Sequence, residues 1–247
     1  MDNNIKKSQT DYRKLFMDKF RLLTQTRSSW QVWEDFIKAT AISISNVTNP
    51  NETREKEFED CIKRLGNKND IAELFGIIIS AINDNPEQDF LGSLYMNLNL
   101  GNHWKGQFFT PYNICKLMSE VTLSKIEDDI EEKGWVSIND CACGAGATLI
   151  AAANSIRNHG INYQNHALFV AQDIDRVVGL MCYIQLSLLG CAGYVVIADS
   201  ICNPLVGGNA LIPIPNKTQE IWYTPMYESN IWLCRRVFNL LNQEEIK

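Results

Sequence analysis

The chain has 247 residues, of which 45% are hydrophobic and 21% charged, and its formal net charge at pH 7 is −6. This is ordinary globular composition, and the acidic balance argues against a protein that coats nucleic acid. No apolar run of about 18 residues is present, so we expect no transmembrane helix and no membrane partner.

The first residues and the cysteines indicate a cytoplasmic protein. The segment MDNNIKKSQTDYRKLF lacks the apolar region of a secretory signal. Eight cysteines without a CxxC pair are typical of reduced, mostly buried thiols. We expect no metal site, because none of the three histidines lies near a cysteine pair at ligand spacing.

The N-terminal part of the chain is basic, although the whole chain is acidic. Residues 1–29 contain seven Lys or Arg and three Asp, a balance of +4. Two interpretations stay open: a solvated helix face, which is the commoner case, or an arm that contacts phosphates.

The first hundred residues are predicted to be helical. Apolar side chains recur every three or four residues from Tyr12 to Leu23 and from Trp30 to Ile44. Asp70 with Glu73 is typical of a helix start. A short amphipathic helix is expected from Phe90 to Leu98.

The stretch KGQFFTPYNICKLM, residues 105–118, places two phenylalanines immediately before a helical pattern. Thr110 is predicted to cap this helix and Pro111 to occupy its first position. Phe109 would then pack on the helix as a hydrophobic staple.

Three β-type runs follow, at residues 135–140, 166–175 and 192–200. Apolar helical patterns separate them, which predicts an α/β fold with a parallel sheet. We therefore assign a helical N-terminal region (1–100), a Rossmann-like core (101–205) and an aromatic-rich C-terminal tail (206–247).

The strand ends carry residues that suit a nucleoside cofactor. The turn from Asp140 to Gly146 has glycines that allow close approach of a ligand, although a purely structural turn is the alternative. Asp173 follows the second strand, where a carboxylate can accept hydrogen bonds from both ribose hydroxyls. Asp199 follows the third and could accept from adenine N6 or cap a turn. Asp175 is more typical of a helix cap.

These motifs, GQFFTP, DCACGAGATLI, AQDID and ADS in that order, resemble the N6-adenine DNA methyltransferases of the type I restriction-modification kind. The resemblance covers residues 89–204, including DFLGSLYMNL before the phenylalanines. It implies S-adenosyl-L-methionine as cofactor, DNA as substrate, and a specificity subunit or second methyltransferase subunit as partner. It also implies that these residues contact the cofactor: Phe108, Phe109, Thr110, Pro111, Asp140, Cys143, Gly144, Gly146, Asp173, Asp199 and Ser200.

The chain departs from this family in two places. Cys141 replaces the proline of the family's Gly-turn motif, and no NPPY or NPPF is present to hold the target adenine. Two main hypotheses follow. The first is a compact adenine-N6 DNA methyltransferase, and the second is a cofactor-binding module that serves as accessory or decoy in restriction-modification. Methylation of a non-DNA substrate is a third, weaker hypothesis. In the first, the tail would supply aromatic side chains that stack on the base, Trp222, Tyr223, Tyr227 and Trp232; packing over the sheet is the alternative.

Overall fold

The computed structural model describes residues 10–98, Leu100 and residues 109–244. Within this part of the chain the N-terminal region is helical, as the apolar periodicity predicts. Its helices are α1 (Tyr12–Leu23), α2 (Ser29–Ser45), α3 (Glu52–Leu65), α4 (Lys68–Asp84) and α5 (Phe90–Asn97).

Two predicted helix starts are wrong by a few residues. The helix expected to begin at Asp70 begins at Lys68, because the Asn67 side chain accepts the Asn69 N–H and caps it. The helix after the phenylalanines is capped by Pro111 and not by Thr110. Pro111 has a non-helical ψ of 136°, and its carbonyl accepts the first helical hydrogen bond, from Cys115 N–H.

Helices and strands alternate after Pro111, which confirms the α/β expectation. Helices α6 (Tyr112–Thr122) and α7 (Ile126–Lys133) precede strand β1 (Val136–Asp140). Then follow α8 (Ala147–Asn158), α9 (Tyr163–His166), β2 (Ala167–Asp173), α10 (Arg176–Leu188), β3 (Ala192–Ile197), β4 (Glu220–Tyr223) and α11 (Asn230–Glu244).

The four strands form one sheet in the order β1-β2-β3-β4. The first three are parallel, with Asp140 opposite Ala171 and Asp173 opposite Ile197. Strand β4 was not expected from the sequence, and it runs antiparallel to β3. Because the carboxyl ends of β1, β2 and β3 lie at one edge, the glycine turn and the acids that follow these strands meet there.

Apolar residues on alternate strand positions build a core on each face of the sheet. Phe169 and Val195 pack with α8, α10 and the N-terminal helices. Leu168 and Tyr194 pack on the opposite face with the tail, including Trp232 of α11. The N-terminal helices therefore contribute directly to the core behind the glycine turn, residues 140–146.

The loop between β3 and β4, residues 198–219, has little regular structure. A short 3-10 helix (Pro225–Glu228) connects β4 to α11. No helix in the described part of the chain is long and apolar enough to cross a membrane.

Candidate functional site

The turn after β1 is built on two glycines with left-handed backbone. Gly144 has φ of 55° and Gly146 has φ of 96°, a region that favours glycine. The turn is fixed to the neighbouring strand because Cys143 N–H donates to the Gln172 carbonyl over 3.0 Å. A Cβ on Gly146 would lie 2.9 Å from the Cys182 sulfur, so the turn packs tightly on α10.

Asp140 closes the turn at its amino-terminal side. Its Oδ1 accepts a hydrogen bond from Ala142 N–H over 3.1 Å, and its Oδ2 accepts one from the Thr148 hydroxyl. Thr148 lies in the first turn of α8, so Asp140 joins the end of β1 to the start of that helix. Both residues line the cavity beside the turn.

Asp173 links the carboxyl ends of β1 and β2. Its Oδ2 accepts from Gly144 N–H and its Oδ1 from Asp175 N–H, both over 2.9 Å. Burial raises the pKa of the Asp173 carboxyl, while these backbone hydrogen bonds act in the opposite direction. The structure thus places the predicted ribose acceptor directly against the predicted methionine-side turn.

The phenylalanine segment covers this turn. The Phe109 ring stacks on Tyr95 of α5, with ring centroids 5.4 Å apart. A Cβ on Gly144 would lie 3.2 Å from Phe109, so the ring and the turn are in near contact. Pro111 follows at the cap of α6, and Phe108 lies outside the described residues.

Three cavities meet at Thr110. The smallest, about 70 Å³, lies between Phe109, Asp140 and the residues of the turn. A cavity of about 430 Å³ lies between α6, α8 and β1. The third, about 330 Å³, is lined by residues of α1, α5 and α6 and by Phe109.

Asp199 and Ser200 are not among the residues that line the three cavities at Thr110. Asp199 is half-buried, and its Oδ1 accepts from Ile201 N–H and Cys202 N–H over 2.8 and 3.0 Å. These hydrogen bonds, that from Cys202 above all, lower the pKa of Asp199. Ser200 lines a separate cavity of about 350 Å³ on the other side of β1. Asp175 caps α10, as its commoner interpretation predicted.

Two buried polar residues at the site were missed by sequence reasoning. Asp89 caps α5 and is 8% exposed, and Gln185 of α10 is fully buried. Gln185 Nε2 donates to Asp89 Oδ1 and to the Ala145 carbonyl, each over 2.8 Å. A single glutamine within the apolar run VVGLMCYIQLSLLG was the available signal, because a buried amide requires partners.

The tail aromatics lie at the opposite edge of the sheet from the turn. Because β4 is antiparallel, its last residue, Tyr223, pairs with Tyr194 near the start of β3. Trp222 and Trp232 are fully buried. The Tyr227 hydroxyl donates to the Leu211 carbonyl over 2.6 Å. The packing interpretation is confirmed for Trp222, Tyr227 and Trp232, whose burial leaves no ring face for a base, whereas stacking by the half-buried Tyr223 stays a prediction.

Comparison with known families identifies the chain. The family model described as N-6 DNA methylase matches residues 87–239. The chain belongs to the N-6 DNA methylase family. In comparisons with curated proteins and with solved structures, nothing matches.

The match to the N-6 DNA methylase family begins two residues before Asp89 and includes α6, the whole sheet and most of α11. Helices α1 to α4 precede the matched region. Membership of this family indicates a DNA methyltransferase, whereas the role of each site residue stays a prediction. No group of three metal-ligating side chains occurs among the residues that the structure describes.

Proposed function

We propose that this chain is an S-adenosyl-L-methionine-dependent methyltransferase that methylates adenine N6 in DNA as part of a restriction-modification system. The observation that carries the proposal is the hydrogen bond from Gly144 N–H to Asp173 Oδ2. It brings a close-approach glycine turn and a buried carboxylate together under Phe109, at the carboxyl edge of a Rossmann-like sheet.

The residues at this edge suit the cofactor chemically. Gly144 and Gly146 keep the backbone of the turn free of side chains, and they let Phe109 and α10 pack closely on it. Asp173 would hold the ribose through its carboxylate, and the Phe109 ring would cover the cofactor from the α5 side. Thr110 lines all three cavities and would contact the methionine part of the cofactor.

The cofactor, when bound, would supply a methyl group already activated on a positively charged sulfur. The chain would act mainly by position: methyl transfer to an amine requires an in-line approach in a site from which water is excluded. Apolar walls from Met118, Leu123, Ile138 and Leu149 around the larger cavity suit that exclusion.

The proposal is tested with the whole chain. Calorimetric titration with S-adenosylmethionine should give one site, and tritiated methyl groups should appear in DNA that contains unmodified adenine. DNA already methylated at N6 is the matched control and should take up no label. Cofactor binding without transfer to DNA would favour the accessory or decoy module, and absence of cofactor binding would overturn both.

A pair of phenylalanine variants tests the role of Phe109. Phe109 and Phe58 are both half-buried, but Phe58 lies on α3 away from the turn. Phe109→Ala and Phe58→Ala should lower the melting temperature to a similar extent. Only Phe109→Ala should weaken S-adenosylmethionine binding, by about tenfold, as expected for loss of a stacking contact. Equal binding by both variants would leave Phe109 with a packing role alone.

A further inference from the structure

The cavity of about 330 Å³ extends from the glycine-turn cavity toward the first helix. Asp89, Phe109 and Thr110 line both cavities, so the two adjoin at these residues. Arg13 of α1 lines only the larger one. We call this space the α1 cavity. It is built partly by a helix that lies outside the region matched by the family.

Asp89 lines the α1 cavity, and one of its two carboxylate oxygen atoms has no described donor. Its Oδ1 accepts from Gly92 N–H and from Gln185 Nε2, both over 2.8 Å. No described residue donates to Oδ2. The carboxylate is therefore oriented firmly by one oxygen, while the other is available to a ligand that carries hydrogen-bond donors.

Arg13 supplies the opposite charge in the same cavity. Its side chain is exposed, and no described residue accepts a hydrogen bond from it. Glu87, which lines the same cavity, is engaged by Lys116 over 2.9 Å and by Arg157 over 3.1 Å. Among the described residues that line the three cavities meeting at Thr110, Arg13 is the one cation.

A carboxylate and a guanidinium that face one cavity are complementary to a zwitterionic α-amino acid. Arginine binds carboxylates through two parallel hydrogen bonds, and aspartate accepts from an ammonium group. The α1 cavity adjoins the cavity beside the glycine turn, where the sulfur end of the cofactor would lie. An amino-acid group extending from that sulfur past Thr110 would reach both side chains.

We infer that Arg13 and Asp89 together recognise the amino-acid end of the cofactor, with Arg13 on its carboxylate and Asp89 Oδ2 on its ammonium group. This inference rests on the proposed function. It makes the N-terminal helix α1 part of the cofactor site, and it gives a specific role to one residue of the basic N-terminal segment. That role concerns the cofactor and does not require contact with DNA phosphates.

The test compares two ligands that differ only in the amino-acid part. S-adenosylmethionine carries it, and 5′-deoxy-5′-methylthioadenosine has the nucleoside and a sulfur without it. The variants are Arg13→Gln, the isosteric Asp89→Asn, and Lys14→Gln as a control of the same charge on the next residue of α1. Melting temperatures establish that each variant is folded.

Arg13→Gln and Asp89→Asn should each weaken S-adenosylmethionine binding about ten- to a hundredfold, the range for a hydrogen bond to a charged group. Binding of methylthioadenosine should stay within about twofold, and Lys14→Gln should change neither ligand. Equal losses for the two ligands, or unchanged S-adenosylmethionine binding, would overturn the inference and leave the proposed function intact. If the unaltered chain binds neither ligand, the proposed function fails as well.

Discussion

Asp89 and Asp173 are carboxylates that the fold removes from water. Burial is the main cause that raises the pKa of each, and the hydrogen bonds they accept oppose it. A raised pKa in the folded state means that the folded chain binds more protons than the unfolded chain above about pH 4. The contribution of these groups to stability is therefore lost as pH rises through the folded pKa.

Asp89→Asn should reveal how much stability is lost when the buried Asp89 carboxyl ionises. The amide keeps an oxygen for Gly92 N–H and Gln185 Nε2 but carries no charge. Relative to the unaltered chain, the variant should gain melting temperature as pH rises from about 4 to 7, at about 2–4 °C per kcal/mol for a chain of this size. Thermal melts across this pH range check it; a difference that does not vary with pH would contradict it.

Gly146→Ala should harm both the fold and the site. An alanine at this position would have to adopt a backbone φ of 96°, which residues with a side chain rarely adopt. Its Cβ would lie 2.9 Å from the Cys182 sulfur. A loss of about 2–3 kcal/mol in the free energy of unfolding is expected, together with weaker cofactor binding.

Gly160→Ala is the matched control for Gly146→Ala. Gly160 has φ of 76°, but a Cβ there would have open space around it. It should cost about 1 kcal/mol from backbone strain and leave cofactor binding unchanged. Denaturant titration gives both energies, and equal costs would mean that the contact with Cys182 contributes nothing.

At the scale of elements, side-chain contacts connect α3 with β4, although the two are far apart in the sequence. The Arg54 guanidinium lies 3.6 Å from the centre of the Trp222 ring and donates to the Ile221 carbonyl over 2.8 Å. Arg176, at the start of α10, pairs with Glu57 of α3 over 2.6 Å and with Glu220 of β4 over 2.7 Å. These contacts fix β4 at the edge of the sheet next to β3.

Arg54→Ala should therefore lower stability without affecting the cofactor site. Loss of the cation–π contact and of the hydrogen bond to Ile221 should cost on the order of 2 kcal/mol. Lys56→Ala, an exposed change two residues later in α3, should cost little. Denaturant unfolding measures the difference, and a loss of S-adenosylmethionine affinity in Arg54→Ala would contradict the separation of the two regions.

The sequence was sufficient for elements whose signal is local. The β runs before Asp140, Asp173 and Asp199 have the apolar character of buried strands, and all three strands are present in parallel order. Strand β4 and its direction could not be predicted from the sequence, because they depend on contacts such as that of Arg54 with Trp222, two residues far apart in the chain. For the same reason the hydrogen bond between Asp89 and Gln185, 96 residues apart, gave no local pattern.

At the scale of the whole molecule, one apolar cluster runs from the first helix to the sheet. It includes Phe16 and Trp33 of the helical region, Leu91 of α5, and Leu180 and Trp222 of the α/β part. The division at residues 100 and 205 stays a prediction. The shared cluster does indicate that α1, and with it Arg13, is held by packing against the part of the chain that carries the glycine turn.

Strand β1 carries the turn, yet within the described residues it pairs on one side only, whereas β3 lies between β2 and β4. Alternate amides of β1 therefore lack a strand partner and should exchange with deuterium faster than those of β3. S-adenosylmethionine should slow exchange in residues 134–146 far more than in 191–198, as mass spectrometry of peptides can show. The ligand would then close an edge strand that opens easily when the site is empty; equal slowing in both peptides would contradict this.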